Sequence, residues 1–181
     1  MPEPVSLNQA RAHLRVLHDD EDDLISSIIV TAREQVEADT ELVIMPRRVT
    51  EAFYGFKSPL VLRKCWPIAA TPNLAVAYTD LAGASQTVTG AQLFTSTWPA
   101  KVMPAINTNF PQAFRQPESV RVSIDCGYAE DAVPAALVQA MLLLIGHWFA
   151  NREAYASGQV GEEIELGYHA LIARPSRHII G

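Results

Sequence analysis

The stretch that decides the fold is PAALVQAMLLLIGHWFANRE, from Pro134 to Glu153. Leucine, alanine and methionine have high helix propensity, and proline suits a first helical position because its missing N–H would have no partner there. Between residues 135 and 150 the only polar side chains are those of Gln139 and His147, so the helix lacks the polar face of a surface helix. We therefore predict a long central helix, covered by its own chain, by copies of the chain, or by both.

Other features argue against membrane insertion and export. The uninterrupted apolar run, Ala140 to Ile145, is far shorter than the roughly 18 residues that a bilayer requires. The opening MPEPVSLNQ has no basic region followed by an apolar run, so we expect no signal peptide. Cys65 and Cys126 lack CxxC spacing and are predicted to be reduced, half-buried thiols of a cytosolic product.

Charge is distributed unevenly over the 181 residues, which are 49% apolar and suffice for one domain. Residues 1–45 hold ten acids against three arginines, residues 46–127 eight bases against four acids, and residues 128–181 six acids against three arginines. An acidic chain without a basic stripe is poorly suited to sequence-specific DNA binding. Unlike charges could bring identical subunits together head to tail, but on charge alone we favour the alternative, which is ordinary solvated surface charge.

The N-terminal part predicts two helices. Ser6 and Gln9 have the spacing of a capping box, so a short helix should run from Leu7 to about Leu14. A second helix is expected from about Asp20 to Glu41, because apolar residues there recur every three or four positions. That apolar stripe consists of Leu24, Ile25, Ile28, Ile29, Ala32 and Val36.

The acidic run HDDEDD, His18 to Asp23, has two interpretations. Carboxylates stabilise the first turn of a helix, and Asp19 or Asp20 is a natural N-cap. The same residues resemble the His-Asp metal clusters of phosphohydrolases, although adjacent residues on a helix point in different directions and converge poorly on one ion. We favour capping and keep a metal-dependent hydrolase as the alternative.

Between the helices the apolar period changes to that of strands, which predicts a small inserted antiparallel β unit. The expected fold class is therefore α+β, with a mainly helical body at 1–45 and 128–175, an inserted β-rich region at 46–127 and a docking tail at 176–181, all in one domain. The predicted strands are Val49–Phe56, Leu60–Leu62, Leu74–Tyr78, Gln86–Phe94 and Val120–Ile124, with a hairpin loop at Asp80–Gly83.

Two segments are predicted to be irregular or short. Ser96 to Pro117 carries four prolines and is expected to be a loop. Its aromatic residues either anchor a partner subunit or fold back on their own core. After the central helix we expect a strand at Glu162–Leu166 and a helical turn at Tyr168–Ala173. The candidate contacts with other subunits or the tail are Trp98, Phe110, Phe114, His147, Trp148 and Arg152.

No motif for catalysis is present. The sequence lacks GxSxG, a phosphate-binding glycine loop, HExxH and a Cys/His cluster, and its five histidines are scattered. His147 could hydrogen-bond Asn151 one turn on, but a lone histidine on an apolar helix is usually a packed core or interface group. We predict no enzyme and no cofactor.

The order of segments resembles the head-tail connector (adaptor) family of tailed bacteriophages and prophages. The specific parts are VSLNQARAHLRVLHDDEDDLISSIIVTAREQV, Val5 to Val36, and GYAEDAVPAALVQAMLLLIGHWFANRE, Gly127 to Glu153. The chain departs from relatives in its ending, ARPSRHIIG. The resemblance implies a structural protein that forms a ring, commonly of 12 copies, under the portal. Such a ring extends the DNA channel and carries the stopper or tail in the virion neck, after a stage in the host cytoplasm.

The resemblance also implies roles for particular residues. The C-terminal segment tends to reach the portal, so the docking candidates are Arg177, His178, Ile179, Ile180 and Gly181. An acidic channel wall would repel DNA and let it slide through without sequence-specific binding. The candidates for that wall are Asp19, Asp20, Glu21, Glu162 and Glu163. An oligomeric adaptor in a non-viral assembly remains a further alternative.

Overall fold

The computed structural model describes residues 3–151, 162–173 and 175. The chain divides into two compact units. The helical unit comprises Met1–Met45 and Ala129–Gly181, and the β unit comprises Pro46–Tyr128. The first unit is therefore built from both ends of the chain, whereas the second is one continuous segment.

The first two helices of the helical unit are α1 (Leu7–Leu14) and α2 (Asp22–Thr40). Ser6 caps α1 as predicted, since its hydroxyl accepts a hydrogen bond from the Gln9 N–H at 3.2 Å. The N-cap of α2 is Glu21, with no side-chain capping bond, so the prediction of Asp19 or Asp20 as N-cap is wrong. Asp22 and Asp23 occupy the first turn instead, so the acidic run still places carboxylates at the positive end of the helix dipole.

The apolar helix forms as α3 (Ala135–Ala150). Pro134 is its N-cap and not its first helical residue, so the helix begins one residue later than predicted. It packs against α1, α2 and the last helix of its own unit. None of its large apolar side chains is exposed. The buried residues of α3 are Leu137, Ala140, Met141, Leu142, Leu144, Ile145 and Trp148.

The last helix, α4 (Glu162–Ile172), replaces a predicted strand at Glu162–Leu166. Tyr168 and Ile172 are four residues apart and both buried, as one face of a helix requires. The Tyr168 hydroxyl donates a hydrogen bond of 2.6 Å to Asp39 Oδ2 on α2. The alternation of apolar and polar residues at Glu162–Leu166 is typical of a strand, but packing on α2 and α3 favours a helix here.

The β unit contains two antiparallel sheets. The strands are β1 (Arg47–Phe53), β2 (Leu60–Leu62), β3 (Ala75–Thr79), β4 (Ser85–Val88), β5 (Gln92–Phe94), β6 (Ala100–Met103) and β7 (Val120–Cys126). One sheet has the order β1-β7-β3-β4 and the other β2-β6-β5. Alternate residues of β7 are buried, from Val120 to Cys126, so this strand supplies much of the core.

Two strand predictions need correction. β6 lies inside the predicted proline loop, because Pro99 and Pro104 flank the strand without entering it, and its buried residues Ala100 and Val102 face the core. The predicted strand Gln86–Phe94 is two strands, since Gly90 with a φ of +72° breaks it and β5 joins the other sheet.

The predicted hairpin loop at Asp80 is present. The Asp80 carboxylate accepts backbone N–H bonds from Ala82 and Ala84, both at 2.9 Å, and Gly83 has a φ of +85°. These bonds lower the pKa of Asp80, chiefly through the Ala84 N–H. A short polar side chain therefore fixes the turn between β3 and β4.

With seven strands in two sheets, the fold is α+β with substantial β structure, and the expectation of a mainly helical body is wrong. Nor is α3 a long central helix: it has 16 residues, against 19 in α2. Helices of its own chain pack against α3, so its apolar side chains are covered within one unit. Within the described ranges, no helix combines the length and apolarity needed to span a bilayer.

Candidate interaction surfaces

An aromatic groove lies on the β unit. It has a volume of about 950 Å³ and is formed by Phe53–Ser58 after β1, Leu81, Pro104 and the segment Asn109–Arg115. The backbone of Phe114 is held by a hydrogen bond from its N–H to the Thr79 carbonyl at 2.9 Å. The groove is therefore built on the end of a sheet rather than on a loop alone.

Stacked rings form part of the groove, and exposed apolar side chains line it. Phe56 stacks on Phe110 with ring centroids 4.6 Å apart, and meets Tyr78 edge to face at 5.4 Å. Tyr54, Leu81 and Phe114 are 61%, 63% and 45% exposed. Apolar side chains gathered in this way around a concave surface are typical of an interaction site.

The charge at this groove is positive. Lys57 and Arg115 both line it and both are exposed. Neither forms an ion pair with any residue in the described ranges. An occupant that carries carboxylates would therefore meet two available cations next to apolar surface.

The second exposed surface is the turn between α1 and α2, residues 15–21, which we call the acidic turn. Its start is fixed by two backbone hydrogen bonds, from Arg15 N–H to Ala12 and from Val16 N–H to Arg11, with Arg15 in the left-handed region. Leu17 is 94% exposed. Asp19 and Asp20 follow it and are also exposed.

The acidic run does not form a metal centre in the part of the chain that the structure describes. His18 Nδ1 lies 3.7 Å from Asp20 Oδ2, with both side chains largely in solvent. No group of three or more His, Cys, Asp or Glu residues with suitable geometry occurs in the described ranges. The geometry therefore gives the metal-dependent hydrolase alternative no support.

The predicted aromatic anchors have different environments. Phe110 and Phe114 both line the groove. Trp98 is half-buried, and its Nε1 is buried with no hydrogen-bond partner among the described residues. Two of the three predicted anchors thus converge on one surface.

The candidates on α3 are less exposed. Trp148 is 1% exposed and belongs to the core of the helical unit. His147 is half-buried, with Nδ1 3.4 Å from Asn151 Nδ2, the neighbour expected from the sequence. Arg152 and the tail candidates, Arg177, His178, Ile179, Ile180 and Gly181, lie outside the described residues. Of the channel candidates, Glu21 is the N-cap of α2, and Glu162 and Glu163 begin α4.

A buried polar cluster in the β unit joins Glu51 to the two cysteines. Glu51 Oε1 accepts hydrogen bonds from the Lys64 N–H at 2.5 Å and from the Cys65 thiol at 3.3 Å. Cys65 and Cys126 are each 1% exposed, so they are fully buried rather than half-buried. The hydrogen bond with Cys126 and burial raise the pKa of Cys65, which keeps this thiol protonated and structural.

Sequence reasoning missed part of the groove and the buried acid. The aromatic and basic stretch FYGFK, residues 53–57, signalled the groove but was interpreted as the end of a strand. Glu51 lies on the same face of β1 as Val49 and Phe53, because alternate residues of a strand share a face. This alternation could have marked Glu51 as a buried carboxylate.

Comparison with solved structures finds the same fold in gene transfer agent (GTA) particles. A chain of the "virion of native gene transfer agent (GTA) particle" is 23% identical, with a TM-score of 0.73, covering 97% of this chain and 91% of that one. A chain from the "neck of empty GTA particle computed with C6 symmetry" is 24% identical, with a TM-score of 0.70 and coverages of 97% and 91%. A third, from the "neck of native GTA particle computed with C12 symmetry", is 22% identical, with a TM-score of 0.65 and coverages of 98% and 94%.

Comparison with sequence families gives the identity. None of the curated proteins compared with the chain matches it. A family model described as "Phage gp6-like head-tail connector protein" matches residues 4–109. That match spans α1, α2 and the first six strands, which is more than half of the sequence. The chain therefore belongs to the phage gp6-like head-tail connector protein family.

Proposed function

We propose that this protein is a structural component of the virion neck, which forms a ring under the portal, extends the DNA channel and carries the stopper or tail. The observation that supports this proposal most strongly is the family match over residues 4–109. The protein performs this role by assembly and without catalysis. Before assembly it resides in the host cytoplasm.

The number of copies in the ring is proposed to be twelve. The likeness to neck structures computed with C6 and C12 symmetry supports a number compatible with both. Rings of this kind use heterologous contacts, in which one surface of each copy meets a different surface of the next. The two units supply such surfaces, since residues 1–45 with 129–181 carry a net charge of −10 and residues 46–128 carry +4.

The acidic unit also supports a conduit through which DNA moves. A wall of carboxylates repels phosphates and leaves DNA free to slide. The residues proposed for this wall are drawn from the acidic candidates at 19–21 and 162–163. The C-terminal residues 177–181 remain the candidates for docking to the portal.

A genetic and a biochemical experiment test the proposal. A phage or prophage without this gene should accumulate filled heads that lack tails, and a plasmid copy should restore tailed particles. Purified protein mixed with its cognate portal should give a complex whose mass, by native mass spectrometry, corresponds to twelve copies. Normal tailed particles from the deletion strain would contradict the proposal, as would a portal that binds none of the protein.

A further inference from the structure

We propose that the acidic turn of one copy docks into the aromatic groove of a second copy, and that this contact drives self-association in solution. The inference rests on the proposed function, because it names the surfaces by which copies in the ring meet. It joins the helical unit of one chain to the β unit of another. Both surfaces belong to the described residues.

The apolar parts of the two surfaces complement each other. Leu17 is 94% exposed on a turn that backbone hydrogen bonds fix, so it projects as a preformed knob. The groove offers about 950 Å³ lined by Phe56, Phe110 and Phe114. This volume is in the range of sites that enclose whole ligands, and it exceeds the need of one leucine by enough to admit its neighbours.

The charges complement each other as well. Asp19 and Asp20 follow the leucine, and both side chains are exposed. Lys57 and Arg115 line the groove without an ion-pair partner in the described part of the chain. Seating the leucine would bring two carboxylates to two available cations, an arrangement that selects this partner over others.

The contact is directional, as a ring requires. Each copy has one acidic turn and one aromatic groove, so each can bind one neighbour on either side. Asp19 and Asp20 then lie between subunits, which leaves the channel wall to Glu21, Glu162 and Glu163.

A charge-swap experiment tests this contact. One variant carries Asp19→Lys and Asp20→Lys, and the other carries Lys57→Glu and Arg115→Glu. Each alone should self-associate at least about tenfold more weakly than wild type in sedimentation velocity, because like charges now face each other. The two variants mixed in equal amounts should associate with a Kd within about threefold of that of wild type. In the mixture the acidic turn of each variant can meet a groove of opposite charge on the other variant.

Matched controls keep the result specific. The control pair carries the same charge changes at other exposed positions, Glu130→Lys with Asp131→Lys and Arg63→Glu with Lys101→Glu, and should associate like wild type. Circular dichroism melts of every variant would check that it folds.

Two leucine-to-aspartate variants test the role of the exposed Leu17 side chain. Leu17→Asp should abolish association, whereas Leu166→Asp, at a site 83% exposed in the same unit, should not. Association unchanged by the charge reversals, mixing without recovery, or sensitivity at Leu166 alone would each overturn the inference while leaving the ring intact. A wild-type chain that stays monomeric at high concentration would also overturn it, and portal binding and the tailless-head phenotype would then decide the proposed function separately.

Discussion

Removal of one hydroxyl, by Tyr168→Phe, tests how α4 is fixed to α2. The Tyr168 hydroxyl donates to Asp39 Oδ2 at 2.6 Å, and Tyr168 is 2% exposed. A hydrogen bond to a charged group contributes about 1.5–3 kcal/mol. Asp39 is only half-buried and keeps its bonds from Gln35 Nε2, both at 3.0 Å, so the lower part of that range applies. We expect a loss of about 1.5–2 kcal/mol in the free energy of unfolding.

The assay is urea or thermal unfolding followed by circular dichroism at the helix band. For a chain of this size each kcal/mol shifts the Tm by about 2–4 °C, so Tyr168→Phe should melt about 3–8 °C below wild type. The matched control is Tyr54→Phe, at a position that is 61% exposed. It should change the stability by less than about 0.5 kcal/mol. Equal stabilities for the two variants would refute the proposed role of the hydroxyl.

The same variant has a defined pH dependence. Burial, and then the bond to Asp39, raise the pKa of Tyr168 well above its ordinary value of 10.0. Above about pH 10 the unfolded chain loses this proton while the folded chain keeps it, so wild type loses stability with rising pH. Phenylalanine has no such proton. The stability difference between wild type and Tyr168→Phe should therefore shrink above pH 10, and a constant difference would contradict the assigned shift.

Three further predictions concern groups that are buried or mostly buried. Trp148→Ala should cost about 3–5 kcal/mol in urea unfolding, because Trp148 is 1% exposed; a cost below about 1 kcal/mol would contradict its place in the core. Glu37→Ala should lower the free energy of unfolding by about 2–4 kcal/mol, since Glu37 Oε1 accepts hydrogen bonds from the N–H groups of Ile44 at 2.6 Å and Met45 at 3.2 Å. Glu37→Gln keeps the acceptor oxygen and should lower it by less than half as much. The two buried thiols should react with a thiol reagent only as fast as the β unit opens; rapid reaction in native buffer would refute their burial.

The fold was most predictable where local chemistry and tertiary packing agree. Ser6 caps α1 where the capping box predicted, and the apolar stripe of α2 is buried from Ile25 to Val36. The Asp80 loop also forms as expected, since its own carboxylate fixes it. In each case residues close in sequence determine the conformation, so no knowledge of distant partners was needed.

The failures have the opposite origin. β6 was missed because the four prolines between Ser96 and Pro117 suggested a loop, whereas pairing with the sequence-distant β2 makes the residues between Pro99 and Pro104 a strand. The first part of α4, Glu162–Leu166, was predicted as a strand because its partners, α2 and α3, are far away in sequence, whereas the helical turn predicted from Tyr168 lies in the helix. Of the candidate surfaces, the aromatic anchors and the acidic run were visible in the sequence. The groove was not, because residues 53–58 and 109–115 meet only through the fold.

The division of the helical unit between the two ends of the chain has a consequence for synthesis on the ribosome. The apolar stripe of α2 leaves the exit tunnel before α3, its main partner, has been translated. The continuous β unit emerges in between, and all its strands are available first. A nascent chain that stalls before residue 134 therefore exposes Ile25, Ile28 and Ile29 to chaperones and to other unfinished chains.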